Sequence, residues 1–292
     1  MRPFYPLNYC ANAAPPSSPG GDPRGIRVAE VTTRIVQVIE VPRSLLPAFL
    51  AMPESAQVAV YFLVGESDDG TERRVYVGQS GDLPTRLKDH NKAKPFWQRA
   101  LVMVSRTHSL TQTHALFLEW HSLQAIRAAR RFKDENGNGC SRPHTPPPME
   151  ADCLEMFDTG RTLLATLGFS LFDPVASAAE AGRAPEVFVC EASGAKGRGQ
   201  YTEEGFVVLQ GSVGRLQSVP SIQGTSDDNF RQRLLEQGVM RAEGDTVVFQ
   251  SDHLFRSPSM AAVALLGRTA NGWLEWKTPE GRTLDEVKRQ AA

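Results

Sequence analysis

Seven consecutive apolar residues, VAVYFLV at 58 to 64, are followed after the polar, glycine-containing loop GESDDGTER by RVYVG at 74 to 78. A run this short cannot cross a bilayer, which takes about 20 apolar residues. Two such runs around a polar loop read as paired antiparallel strands. Because side chains alternate, Tyr61 shares a face with Ala59 and Leu63, while Val58, Val60, Phe62 and Val64 face the other way. Tyr76 likewise opposes Val75 and Val77. Pairing Val64 with Arg73 sets Tyr61 opposite Tyr76 on one face, and a one-residue slip separates them.

The rest of the chain is organised around this pair. IRVAEV and RIVQVIEV (26 to 41) alternate as a hairpin, and a short helix follows at 44 to 51. Asp82 caps a helix over 83 to 93, ALVMVS (100 to 105) is a third strand, and a long helix runs from Thr111 to about Phe132. KDENGNGCSRPHTPPP breaks it, and another helix spans 150 to 167. The expected segments are a disordered leader (1–24), an N-terminal hairpin and helix (25–57), a catalytic domain with trailing helix (58–172), a linker (173–186) and an accessory domain (187–292). The class is α/β (α+β), and GAKGRG (194 to 199) reads as a loop. The leader lacks an apolar secretory core and no membrane-length run exists, so a cytoplasmic protein is expected, with no membrane partner. Cys10, Cys140, Cys153 and Cys190 form no C-x-x-C pair and read as free thiols.

Charge is uneven. Residues 71 to 133 hold twelve Lys or Arg against Glu72, Asp82, Asp89 and Glu119, although the whole chain has a net charge of -1. Either a polyanionic partner or a solvated helix face accounts for that excess. Arg86 and His90 are four apart on one helix face, a cation suited to phosphate and a base that titrates near neutrality. Glu119 falls on the apolar arc of its helix between Ala115 and Leu123. A carboxylate placed there needs a cation, from the protein or from a metal. Phosphodiester hydrolysis asks for a base, a cation on the non-bridging oxygens and a Lewis acid. Tyr, Arg and Glu with Mg²⁺ (or Mn²⁺) supply that set.

Residues 58 to 138 resemble the GIY-YIG nucleases in the order of their motifs. These are Ala59-Val60-Tyr61, Tyr76-Val77-Gly78, Arg86 with His90, Glu119, and Asn136 or Asn138. The resemblance implies a small domain with a three-stranded antiparallel sheet flanked by helices, and an endonuclease acting on nucleic acid, DNA rather than RNA. It implies catalytic Tyr61, Tyr76, Arg86, His90 and Glu119, with Glu119 as the metal ligand and Tyr61 as general base. Gly78, Gln79, Lys92, Lys94, Asn136 and Asn138 would contact substrate. Ala59 and Gln79 depart from the pattern, since the first glycine is missing and several relatives carry a lysine at the second. The alternative is a DNA-binding module that no longer cuts. Residues 187 to 290, with Gly205-Phe206-Val207-Val208-Leu209, Phe255-Arg256-Ser257-Pro258 and Asn271-Gly272-Trp273, resemble a domain of unknown function that often follows such a module, and more distantly restriction- and methylase-associated domains. The setting implied is bacterial defence or genome maintenance.

Overall fold

The computed structural model describes residues 25–67, 72–137, 140–174, 186–192 and 194–290. The expected leader, most of the expected linker, and Asn138 lie outside them. The chain forms two mixed α/β units, divided between Asp173 and Pro174, each with its own sheet.

In the first unit the strands are β1 (Arg27–Glu30), β2 (Val36–Pro42), β3 (Ala59–Glu66), β4 (Arg73–Ser80), β5 (Trp97–Ser105) and β6 (Lys133–Asp134), in the order β1-β2-β5-β3-β4-β6. The three strands expected from the sequence form the middle of this sheet, but the sheet has six strands, not three. The N-terminal hairpin is no separate segment, because β2 pairs along β5 from Val36↔Ser105 to Pro42↔Arg99 and covers an edge that would otherwise be open. The two residues of β6 add to β4 in parallel.

Helices α1 (Leu46–Leu50), α2 (Leu83–Ala93), α3 (Gln112–Ala129) and α4 (Pro147–Thr166) complete the unit. One sheet face buries Val60, Phe62, Val75 and Val77 with Leu118, Leu123 and Ile126 of α3 and Leu163 and Leu164 of α4. The opposite face buries Ala59, Tyr61 and Leu63 with Phe49 of α1 and Leu83 and Leu87 of α2. The unbroken apolar run in β3 follows from this double coverage, and each fully buried aliphatic side chain contributes about 1.5–3 kcal/mol. The alternation in β2 is deceptive, since every residue of it is buried. Its Glu40, 1% exposed, is held by Arg27 and by Arg99 at 3.2 Å.

The second unit carries β7 (Phe188–Ala192), β8 (Ala195–Thr202), β9 (Gly205–Val208), β10 (Val213–Arg215), β11 (Met240–Glu243), β12 (Thr246–Phe249) and β13 (His253–Phe255). Their order is β11-β12-β10-β8-β9-β13, with β7 on β8. The helices are α5 (Ser226–Glu236), α6 (Pro258–Leu266), α7 (Gly272–Glu275) and α8 (Leu284–Lys288). Phe206, Phe249, Phe255, Leu265 and Trp276 fill the core. GAKGRG is not a loop, because its residues from Ala195 onward are strand β8. Its glycines are there for close packing: a Cβ on Gly197 would meet Leu265 Cδ1 at 2.4 Å, and one on Gly199 would meet Phe206 Cε1 at 2.3 Å. Trp276 is a core residue, donating from Nε1 to the Pro258 carbonyl at 3.0 Å. Trp273 lies half-buried between Tyr201 and the guanidinium of Arg289. Among the described residues no helix is long and apolar enough to cross a membrane.

Candidate active site

Strands β3 and β4 place the first pair of side chains. Their register joins Val64 to Val75, Leu63 to Tyr76 and Tyr61 to Gly78, two residues away from a pairing of Val64 with Arg73. An even shift keeps each side chain on its face. Tyr61 and Tyr76 therefore still lie together, diagonally rather than directly opposite, with ring centroids 6.4 Å apart. Gly78 is required by this register: a Cβ there would stand 2.4 Å from Tyr61 Oη. The tyrosine ring occupies the space that a side chain would take.

Helix α2 brings the bases and cations. Asp82 accepts a hydrogen bond from the Thr85 amide at 3.2 Å, and Pro84 sits in the first turn where its missing N–H is harmless. Leu83, Leu87 and His90 are buried against the sheet. His90 Nε2 lies 2.9 Å from Tyr61 Oη, and its ring centroid is 4.8 Å from that of Tyr76. Arg86, a turn earlier on the same stripe, lies close enough for its positive charge to act on the phenols of Tyr61 and Tyr76. Lys94, a turn after His90, holds its Nζ 4.2 Å from the Tyr76 ring centroid. Lys92 is exposed and, by helical geometry, projects away from His90, so it is not brought to this cluster.

Helix α3 contributes Glu119 from the other side of the sheet. Its carboxylate is half-buried, and its charge is felt at Tyr61. It makes no ion pair with Arg86 or with any other described residue, so the expected alternative of a buried salt bridge does not hold. Burial holds its pKa above the ordinary carboxylate value, while the Arg86 charge pulls it down. A half-buried carboxylate without a direct partner is suited to one hard cation. Among the described residues no three His, Cys, Asp or Glu side chains converge, so an ion here would have Glu119 as its protein ligand and draw its other oxygens from water and phosphate.

Three further expected residues are structural neighbours of the cluster. Gly78 has been placed above. Gln79 accepts a hydrogen bond from Gln112 at the start of α3. Asn136 accepts from the Val77 amide at 2.8 Å and donates to the Val77 carbonyl, fixing the strand that carries Tyr76. Gln112 was not legible as part of the site, because a polar residue in the first turn of a helix carries no sequence signal for its partner.

Proton affinities follow from burial. Tyr61, fully enclosed, has its pKa raised above the ordinary phenol value by desolvation and by Tyr76, with Arg86 opposing. His90 is lowered to about 4 by desolvation, then by Arg86 and Lys94. The imidazole is thus neutral at pH 7 and able to accept a hydrogen bond from Tyr61 Oη, its tautomer being set by which group donates.

Part of the positive excess of this region is answered internally. Arg74 pairs with Glu72 and Glu135, Arg99 with Glu40, Arg106 with Glu30, Arg127 with Asp134, and Lys133 with Glu72. Arg86, Lys88, Lys92, Lys94 and Arg130 have no carboxylate partner among the described residues, and of these Arg86 and Lys94 are the ones beside the tyrosines.

Residues 188–288 match the family described as a domain of unknown function (DUF4357). That span runs from the first strand of the second unit to its last helix. It agrees with the resemblance noted for the accessory region. No match to the nuclease family accompanies it, and no curated protein or solved structure matches the chain.

Proposed function

We propose that the first unit is a metal-dependent endonuclease that hydrolyses DNA phosphodiester bonds. The observation that carries this reading is the clustering of Tyr61, Tyr76 and His90, with His90 Nε2 at 2.9 Å from Tyr61 Oη and the charges of Arg86 and Glu119 within electrostatic reach of Tyr61. An ordinary pair of strand tyrosines needs no guanidinium, imidazole and carboxylate around it.

Arg86 would neutralise charge on the non-bridging oxygens as it develops in the transition state. Tyr61 is too weak an acid to act alone as a phenolate base at neutral pH. Its role is to position: Tyr61 Oη donates a hydrogen bond to His90 Nε2 and accepts one from the attacking water. The water oxygen attacks phosphorus and gives up its proton to solvent, and the leaving oxygen departs and takes a proton from solvent. Tyr76 orients the water. Glu119 would hold Mg²⁺ or Mn²⁺, which supplies Lewis acidity at the phosphate. Glu119→Ala is expected to lower plasmid cleavage in Mg²⁺ by at least about a hundredfold. Equal cleavage by this variant and the wild type rules the reading out.

A second reading is favoured by one observation, that the Tyr61 hydroxyl is enclosed and its proton firmly held. In it the unit binds DNA without cutting. Salt-sensitive binding with no Glu119-dependent turnover is the result that selects it.

A further inference from the structure

Tyr76 is approached by two cations, Arg86, whose charge acts on its phenol, and Lys94, over its ring at 4.2 Å. Arg86 lies on α2 and Lys94 is the residue that caps its C-terminus, with His90 between them at spacings of four residues. Neither is paired with a carboxylate among the described residues, whereas Arg74, Arg99, Arg106, Arg127 and Lys133 all are. One phosphodiester carries one negative charge, and Arg86 suffices for it. The second cation has no such counterpart within a single diester.

Resting on the nuclease reading, we propose that Lys94 binds the phosphate adjacent to the one Arg86 faces, so that the site is built for consecutive phosphodiesters of a polynucleotide and not for an isolated diester. The aromatic ring is the resting place of the ammonium. A cation–π contact at an accessible site is worth about 0.5–1 kcal/mol, less than the ~1.5–3 kcal/mol of a hydrogen bond to a charged group. A phosphate arriving beside Tyr76 therefore draws the ammonium off the ring. The flexible four-carbon stem of lysine allows that movement, whereas the planar guanidinium of Arg86 is the more rigid of the two groups.

The test compares the full chain with Lys94→Gln, Lys94→Arg and Arg86→Gln on two substrates, duplex DNA and bis(4-nitrophenyl) phosphate, which has a single phosphodiester. Lys94→Gln is expected to raise KM for DNA by about three- to tenfold at nearly unchanged kcat. It should also lower the slope of log affinity against log salt by about one, measured on duplex DNA without divalent metal. The KM for the small diester should stay at its wild-type value, since that substrate has no second phosphate to lose. Lys94→Arg should restore the DNA values, and Arg86→Gln should impair both substrates. A Lys94→Gln chain with the wild-type salt slope, or one impaired equally on both substrates, overturns this assignment while Glu119-dependent cleavage by the wild type leaves the nuclease reading standing. A wild type that neither binds nor cuts DNA overturns both.

Discussion

His90 is a residue whose surroundings set its chemistry more than its own nature does. Enclosed against the sheet and flanked by Arg86 and Lys94, it titrates near 4 in the folded chain, against an ordinary value of 6.5. Between those values the unfolded chain takes up a proton that the folded chain refuses. The contribution is therefore fully present above about pH 6.5, is lost as pH falls to about 4, and changes no further below that. The loss is on the order of 3 kcal/mol. Urea midpoints measured across this window should fall for the wild type and vary less for His90→Gln. The sequence showed that His90 shares a stripe with Arg86, and it showed that Glu119 sits among apolar neighbours. It could not show the seat of Tyr61 on Gly78, because that depends on which residue of β3 lies across from it, and pairing Val64 with Arg73 stands two residues off the register of the fold.

The element that assembles the cluster is α2, of eleven residues, too short to hold itself without its cap and its packing. Asp82→Ala removes the cap and should cost about 1 kcal/mol in urea unfolding. The same change should lower DNA cleavage more than stability alone explains, because Arg86 and His90 lie one and two turns from that end. A urea titration beside an initial-rate measurement separates the two effects, and unaltered cleavage would mean that packing by Leu83 and Leu87 positions the helix without help. The cap was legible, since Asp followed by Leu-Pro is a local signal. The six-stranded sheet was not. RIVQVIEV alternates as a half-exposed strand does, yet α4 and β5 enclose it, and the one carboxylate within it is answered by Arg27 from β1 and Arg99 from β5. Such pairing joins residues far apart in sequence, and no local pattern encodes it. The glycines of β8 misled for the opposite reason, because a residue read as a mark of looseness was serving close packing.

At the scale of the molecule, the buried clusters of the described residues fall in one unit or the other, none shared. Stability can then be perturbed in one unit by itself. In the second, the guanidinium of Arg231 is 2% exposed and donates to the carbonyls of Ala264 and Arg215 and to the Ser218 hydroxyl. Arg231→Met leaves those acceptors unanswered at the end of α6, a loss of about 3 kcal/mol. Hydrogen exchange should quicken across β10, α5 and α6 while the amides of β3 and β5 keep their protection. The two-part division was readable from the break in pattern after residue 172, whereas the fate of the charge was not, because composition counts cations without their partners. With Arg74, Arg99, Arg106, Arg127 and Lys133 answered by carboxylates of their own unit and a net charge of -1, the chain has no overall positive charge to act beyond the Debye length of about 8 Å. A distant polyanion is not steered toward it. Encounter proceeds at the unguided rate of about 10⁵–10⁶ M⁻¹s⁻¹, and selectivity for any partner is exercised after collision, through how long the complex lasts.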